Sequence, residues 1–504
     1  MKWYELNKKY LWMFFIVSIL SLLYVFPIIL VNIYFKDDLG WSLAGEIGLK
    51  GDGRPLGEYL VHALCGGRPV TDTAPLPLIL LVLFLSYTLV LYVKTNLDFV
   101  SDHYALIAVL LFVITNPLAV ECVAYRYGSM VMFVALGIPF IIFSIPDTIS
   151  RAKIFIYSMI LSIALMCLYQ PTLGMCLVLL INNIFFAIIH NRKLNYISEG
   201  VRIAGIGVGA VLYKIIIPGH YINTADWRYE ASQTLELKPG SIIKIIENMR
   251  DSCLYIGTFL SETALWYRVA LALMIIIAVA SIVLFYHRES KKTRWRKAID
   301  IAFLIVSPIA VFFASFLPML LLKTLSMKGR LFIALGGFLL YIGIFLLYHL
   351  KRSRTFALPL SLLIVLCILY PYTYMYSFGN ALNNQNEYAK YIVYNIAHDL
   401  ETINADGEYT TVTFIGKMPR TKRIQMLYDK YPSYESLLPR YITNDTWIGG
   451  AYVLHYLQDD LKLESDNESD IQVVSSEEPA MTNSLYSCYL NGDKIIVSFR
   501  ESSE

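Results

Sequence analysis

Charge is what this chain has least of. Only 16% of its 504 residues are Asp, Glu, Lys or Arg, against roughly 25% in an average soluble domain. The two signs nearly cancel, 42 Lys and Arg against 39 Asp and Glu, for a net of +3. A soluble protein of this length needs a charged skin over its core. The shortage excludes a disordered chain, a soluble multidomain enzyme and a nucleic-acid binder that works through bulk positive charge. Cysteines are few and scattered. Cys65, Cys122, Cys167, Cys176, Cys253, Cys367 and Cys488 form no close-spaced pair, which fits neither a zinc site nor a disulfide framework. They read as small apolar fillers. Also missing are a Walker-type phosphate loop, a glycine-rich nucleotide fingerprint behind a strand, a His/Cys cluster at metal spacing and a solenoid repeat.

What the chain has is apolar surface. Hydrophobic residues make up 57% of it and its mean hydropathy is +0.54, which points to a polytopic α-helical membrane protein. Tyrosine leads the aromatics, 37 against 26 Phe and 7 Trp. Its apolar ring and polar tip suit membrane interfaces and wet, sugar-lined cavities. About 20 mostly apolar residues cross a bilayer as a helix. Windows of that length predict eleven spans, near 11–34, 75–93, 104–121, 128–146, 153–169, 171–189, 201–217, 264–286, 299–322, 330–350 and 355–374. The first lacks a small-residue cleavage site and reads as a retained helix. Arg202 and Lys214 interrupt the seventh.

Lys and Arg in short loops set orientation. With Lys2, Lys8 and Lys9 cytoplasmic, the inner loops carry Arg151/Lys153, Arg192/Lys193, the Arg288–Lys297 cluster and Lys351/Arg352/Arg354. Eleven crossings then place the C-terminus outside. Three outer segments are long: about 35–74, about 218–262 and everything after about 375. Residues 376–504 hold 10 Lys and Arg against 19 Asp and Glu, a net of −9 that leaves +12 on the rest. The expected organisation is a membrane domain over 1–375 and a small soluble α/β domain over 376–504. That domain shows strand-like runs at Tyr409–Ile415 and Ile471–Ser475 and a hairpin signal at Leu490-Asn491-Gly492-Asp493 before Lys494–Phe499. Helical stretches fall near 421–438 and 446–462, and a frayed tail, 501–504, ends the chain. The triplets Asn444-Asp445-Thr446 and Asn467-Glu468-Ser469 match the glycosylation pattern, which carries no meaning in a bacterial-type enzyme.

The first outer loop carries the strongest signal. Phe35-Lys36-Asp37-Asp38-Leu39-Gly40 sets two acids side by side at a membrane boundary. Adjacent carboxylates repel, which favours a raised pKa on one of them, as a general base requires. A solvated loop whose acids merely end a helix is the plain alternative. Gly51-Asp52-Gly53-Arg54-Pro55-Leu56 follows, a turn leading into an amphipathic helix over about 55–65 that bears Glu58 and His62 and is suited to the outer leaflet. Thr71-Asp72-Thr73-Ala74-Pro75-Leu76-Pro77 opens the second span with hydroxyl or carboxylate N-cap candidates ahead of proline.

This order of span, acidic pair, GDGRPL and T-D-x-x-P-L-P resembles the serotype-converting glucosyltransferases of the Gtr type II family, integral membrane enzymes of the GT-C class. Asn116-Pro117, Tyr125-Arg126-Tyr127-Gly128-Ser129, Leu168-Tyr169-Gln170-Pro171-Thr172-Leu173-Gly174 and Ala381-Leu382-Asn383-Asn384-Gln385-Asn386 extend it over most of the membrane part. An acidic residue is expected after the aromatic-Arg-aromatic triplet. Gly128 stands there instead, and no carboxylate role is carried over. The resemblance implies a GT-C-like fold of about eleven transmembrane helices in the bacterial inner membrane. It implies transfer of glucose or another hexose from a polyprenyl-phosphate carrier, such as undecaprenyl phosphate glucose, to a surface glycan, typically lipopolysaccharide O-antigen, on the outer side.

The same pattern places the base at an Asp of the first outer loop; Asp38 is the first choice and Asp37 the second, and one could equally hydrogen-bond the sugar while the other takes the proton. A lipid-phosphate leaving group needs cations, and arginine's planar fork suits phosphate. The candidates on that side are Arg54, Arg126, Lys214, Lys323, Lys328 and Arg330, with Asp52, Tyr125, Tyr127 and Gln170 as further substrate contacts. For Arg126 the plain alternative is a pair with Glu121 or a snorkelling side chain. For Arg330 it is snorkelling, and Lys214 is an intramembrane charge of the kind that is paired or functional. Tyr169 reads best as an aromatic-belt residue, and His220 and Trp227 are acceptor-groove candidates. No cofactor is required. A divalent cation near Asp37 and Asp38 is compatible with the chemistry without being needed by it. Other readings are a GT-C transferase for another sugar such as mannose or aminoarabinose, a lipid-linked sugar flippase or exporter, and a polysaccharide polymerase. An odd span count, one acidic outer loop and a folded outer tail favour the transferase over paired-repeat transporters.

Overall fold

A computed structural model describes residues 4–98, 100, 102–189, 195–222, 227–236, 238–289, 294–350, 354–443 and 461–500. Arg192, Lys193, Lys291, Lys292, Lys351, Arg352, the Asn444–Thr446 triplet, most of the 446–462 stretch and the tail 501–504 lie outside the described residues. The chain is mainly helical: α1 Lys8–Val31, α2 Asp38–Ala44, α3 Pro55–Leu64, α4 Leu76–Asn96, α5 His103–Ile114, α6 Val120–Ala124, α7 Gly128–Ile142, α8 Arg151–Met166, α9 Leu173–Ile189 and α10 Tyr196–Tyr221. Then follow α11 Trp227–Ser232, α12 Ser241–Glu262, α13 Leu265–Glu289, α14 Arg294–Ala314, α15 Leu317–Leu320, α16 Leu335–Leu350 and α17 Arg354–Ile403.

Seven helices among the described residues are long and apolar enough to cross a membrane: Lys8–Val31, Leu76–Asn96, Gln170–Ile188, Tyr196–Tyr221, Lys297–Ala314, Gly329–Leu347 and Leu358–Ile403. An eighth forms if His103–Ile114 and Pro117–Ala124, bent by 42° at their junction, count as one broken span. The windows at 128–146 and 264–286 yield the shorter apolar helices Gly128–Ile142 and Leu265–Ala280. The window at 153–169 is a helix of 16 residues, about 24 Å at 1.5 Å per residue.

The contacts divide the chain into two compact units. The first comprises Met1–Phe26, Gly48–Cys65 and Thr73–Tyr376. Its helices are interrupted by 3₁₀ turns at Pro117–Ala119, Gln170–Thr172 and Gly329–Phe332, and two of these junctions rest on close backbone approach. A Cβ at Gly174 would lie 2.4 Å from the Ser315 carbonyl oxygen, and one at Gly329 would lie 2.5 Å from that of Leu118. Only a residue without a side chain lets these segments touch. The Asn116 side chain binds the second contact, donating to the Phe332 carbonyl at 2.8 Å. At the entry to α4 the expected side-chain cap is missing. Pro75 holds the cap position with no side-chain hydrogen bond, and the Thr73 hydroxyl donates to the Leu64 carbonyl instead, at 3.3 Å.

The second unit comprises Pro27–Ile47, Gly66–Asp72 and Ser377–Glu504. It holds a five-stranded sheet in the order β2-β1-β5-β4-β3, with β1 Thr411–Ile415, β2 Lys462–Leu463, β3 Met481–Thr482, β4 Tyr486–Asn491 and β5 Lys494–Phe499. β1 runs parallel to β2 and β5, whereas β4 pairs antiparallel with β3 and β5. The predicted hairpin closes through Gly492, whose φ of 61° is the left-handed turn glycine supplies. The run Ile471–Ser475 is helical rather than extended, inside α20 Glu468–Ser476. A reciprocal capping box overrides its strand-like composition: Asn467 accepts from the Asp470 amide, and Asp470 accepts from the Asn467 amide. Asn467 thus serves as a helix cap. The 421–438 stretch is two helices, α18 Lys422–Lys430 and α19 Tyr434–Leu437, broken around Pro432.

Candidate functional site

In the first unit, the Gly51–Arg54 turn is held by its own backbone. The Leu49 carbonyl accepts the amides of Asp52 at 3.1 Å and Arg54 at 2.9 Å, and Lys50 accepts that of Gly53 at 2.9 Å. Gly53 sits at φ +72°, and a Cβ there would lie 2.8 Å from the Tyr213 hydroxyl. Pro55 opens α3 at its first turn, where its missing N–H costs nothing. Glu58, 5% exposed, accepts both the Lys50 amide at 3.1 Å and the Lys50 ammonium at 3.0 Å, locking turn to helix. His62 is also buried, while Leu56 and Tyr59 are exposed. The helix therefore buries its polar face and shows its apolar one, the reverse of a soluble surface helix.

Arg54 emerges from this turn into a closed ring of contacts. Its Nε donates to Gln170 Oε1 at 3.5 Å, and its guanidinium lies over the Tyr169 ring, 5.0 Å from the centroid. Gln170 Nε2 donates to the Tyr213 hydroxyl at 2.7 Å. That hydroxyl donates in turn to the Gly53 carbonyl at 2.8 Å. Tyr169 continues the chain of contacts by donating from its hydroxyl to the Arg330 carbonyl at 3.2 Å. The Arg330 side chain hydrogen-bonds the Tyr125 hydroxyl, lies 5.4 Å from that ring's centroid and approaches Glu121 to 3.6 Å. Glu121 is 2% exposed, and a carboxylate so buried needs a cation. Tyr255 on α12 stacks on Phe332 at 5.4 Å; burial first, then the charge of Glu121, pushes its phenol up to about 12.

The structure therefore gathers Arg54, Gln170, Tyr125 and Arg330 from the sequence-predicted residues, with Asp52 on the same turn. It adds Tyr169, Tyr213 and Glu121. Glu121 on α6, just after the 117–119 turn that Gly329 packs against, pairs with Arg330. Arg126 and Tyr127 follow Tyr125 in the connection to α7, half-buried and buried respectively. A Cβ at Gly128 would come within 3.2 Å of the Tyr125 ring, a physical reason for glycine where an acid was expected. Three cations are engaged elsewhere or exposed. The Lys214 ammonium donates to the Thr234 hydroxyl, Lys323 donates to Gln233 at 2.7 Å, and Lys328 is exposed ahead of its 3₁₀ turn. His220 is exposed and packs edge-on against Tyr221 at 4.9 Å. The side chain of Trp227 lies outside the described residues.

The second unit carries the acidic pair. Asp38 is fully buried at the start of α2. Its Oδ2 accepts the Phe35 amide at 3.2 Å while its own amide donates to the Phe35 carbonyl at 3.1 Å. Asp37 occupies the N-cap position, half-buried, with no side-chain cap bond. Lys36 takes φ 50° to make the turn, an uncommon value for a side-chain-bearing residue. Tyr34 anchors the segment: its hydroxyl donates to Asp72 at 3.1 Å, and its carbonyl accepts the Tyr441 hydroxyl at 2.9 Å. Among the described residues, no group of three or more His, Cys, Asp or Glu is placed to hold a metal ion.

The family model described as Glucosyl transferase GtrII matches residues 26–347, a range that spans the acidic pair, Arg54, Gln170, Tyr213 and Arg330. The chain is also similar to a protein of Salmonella phage P22 described as an uncharacterized 55.3 kDa protein in the gtrB 5′ region. The two are 26% identical over 431 residues, covering 84% of this chain and 86% of that one. No solved structure matches the chain.

Proposed function

Because the chain belongs to the GtrII glucosyl transferase family, we propose that it moves glucose, or another hexose, from a polyprenyl-phosphate carrier to a surface polysaccharide such as O-antigen. The reaction takes place on the outer side of the bacterial inner membrane, with the N-terminus cytoplasmic, the C-terminal domain outside and eleven crossings in between. One observation carries the reading. The first unit fixes two guanidinium groups: that of Arg54 lies over the Tyr169 ring and is backed by Gln170 and Tyr213, and that of Arg330 lies beside Tyr125 and Glu121. Fixed cations stabilise a phosphate leaving group because its charge grows as the glycosidic bond breaks.

In this reaction the acceptor hydroxyl oxygen attacks the anomeric carbon. The bond from that carbon to the phosphate oxygen breaks, and its electron pair stays on the phosphate. The hydroxyl proton goes to a carboxylate of the first outer loop. Asp38, which holds the Phe35 amide, remains the first choice for that base and Asp37 the second. Arg126, Tyr125, Tyr127, Asp52, Lys214 and Lys328 stay candidates for contacts to the sugar or the lipid phosphate. The decisive experiment is transfer in proteoliposomes, with polyprenyl-phosphate glucose as donor and O-antigen lipopolysaccharide as acceptor. Turnover in the wild type and its loss in Arg54→Ala support the reading. Equal turnover in both rejects it.

A further inference from the structure

The residue that the proposed chemistry does not yet use is Gln385, in the part of α17 that belongs to the second unit. It is fully buried, and neither its Oε1 nor its Nε2 has a hydrogen-bond partner among the described residues. Its stripe is mostly apolar, with the buried Asn386 beside it. Phe378, Leu382, Ala389, Ile392 and Ile396 follow one another at three- and four-residue steps, each at most 1% exposed, and Gln385 stands in the middle of them. A side-chain amide in such a place weakens the fold unless something else meets its donors and acceptor.

One close approach and one shared cluster describe the surroundings of this stretch of helix. Gly379, six residues before Gln385, lies against Pro27; a Cβ there would be 2.6 Å from the proline Cβ. Ala389, one turn after Gln385, shares a hydrophobic cluster with Leu39, the residue that follows Asp38. Gln385 thus lies on the helix between a residue packed on Pro27 and one in the cluster that includes Leu39. Chain segment 27–39 carries Asp37 and Asp38. An amide offers one acceptor and two donors, the complement of neighbouring hydroxyls on a sugar ring, each of which both donates and accepts.

We propose that Gln385 binds hydroxyl groups of the acceptor sugar and orients the ring for deprotonation by the acidic pair. The inference rests on the reading of that pair as the base. The test uses the full-length protein in proteoliposomes with polyprenyl-phosphate glucose and O-antigen lipopolysaccharide. Gln385→Leu and the nearly isosteric Gln385→Met both remove the unmet amide. A residue serving the core alone would give variants as stable or more stable, with unchanged kinetics.

A residue serving the sugar gives a different pair of results. The melting temperature holds or rises, while the acceptor KM increases roughly tenfold, the effect of losing about one net hydrogen bond, and the donor KM stays put. Gln385→Asn, which keeps the amide at shorter reach, recovers part of the loss. Wild-type acceptor KM in both apolar variants overturns the proposal, and so does a rise confined to the donor KM. Asp37→Asn and Asp38→Asn are assayed alongside. If those two and their double variant keep full turnover, the base assignment falls, while the acceptor KM of the Gln385 variants still reports on sugar binding.

Discussion

The Tyr213 hydroxyl donates to the Gly53 carbonyl across 2.8 Å, tying a helix of the membrane body to the turn that presents Arg54. The contact depends on Gly53 having no side chain, since a Cβ would stand 2.8 Å from that hydroxyl and the backbone is at φ +72°. Gly53→Ala should cost stability twice over, through about 1–3 kcal/mol of backbone strain and through displacement of Tyr213. Thermal unfolding in detergent, with transfer measured at low temperature, reads both effects. Unchanged melting and turnover would mean that the turn relaxes freely.

Arg54→Lys and Arg330→Lys keep the charge but lose the planar fork and the packing on Tyr169 and Tyr125. Each should raise the donor KM by roughly 10- to 100-fold, the equivalent of one lost charge-assisted hydrogen bond. The acceptor KM should change little. Steady-state kinetics with the donor varied at fixed acceptor checks this.

Asp37→Asn and Asp38→Asn should differ from their alanine counterparts. Asparagine at 38 still accepts the Phe35 amide, so folding survives and any loss is chemical, of the order of 10²- to 10⁴-fold for a removed base. Asp38→Ala should also unfold more easily, by about 1–3 kcal/mol, because it orphans a buried amide. Turnover compared with melting temperature across the four variants separates the two roles.

Lys494 supplies a pH dependence. Burial disfavours its ammonium, but hydrogen bonds to Glu464 at 3.0 Å and Asp470 at 3.2 Å outweigh that and hold its pKa above the usual lysine value. A raised folded value means that the stabilisation is fully present below the unfolded pKa of about 10.4 and is lost as pH rises through the folded one. Melting of the full-length protein should therefore flatten near neutral pH and fall at strongly alkaline pH, and Lys494→Met should remove the part of that fall due to Lys494. A Lys494→Met profile parallel to wild type would contradict this.

A reporter enzyme fused after Glu504 should be active only outside the cytoplasm. A cytoplasmic signal would overturn the assigned orientation.

The membrane character and the inner strands are legible because they rest on composition and period, which neighbouring residues carry together. β1 and the β4–β5 hairpin lie where the alternating patterns and Asn491-Gly492 place them. Ile471–Ser475 misleads because a β-branched run of five residues is weaker than a capping box set by Asn467 and Asp470. Four of the expected binding residues, Arg54, Gln170, Tyr125 and Arg330, meet in one cluster. Tyr213 escaped notice although Lys214 beside it drew attention, since hydropathy marks the charge that interrupts a helix and says nothing of which neighbour faces inward. In the sequence Glu121 has Arg126 as its near cation. Its contact with Arg330 depends on the approach of two distant turns, which no local pattern encodes.

The ring around Gln170 also has a polarity that is decided at the backbone. The Gly53 carbonyl can only accept, so the Tyr213 proton points at it and the oxygen's lone pair is left for Gln170. The amide NH₂ must then face Tyr213, and the amide oxygen must face Arg54. A one-atom exchange, Gln170→Glu, keeps the size and the attraction to Arg54 but brings an acceptor where the tyrosine offers a lone pair. The arginine is thus aimed by a sequence of one-way bonds, and a substitution that reverses any link unsettles the aim without touching the arginine.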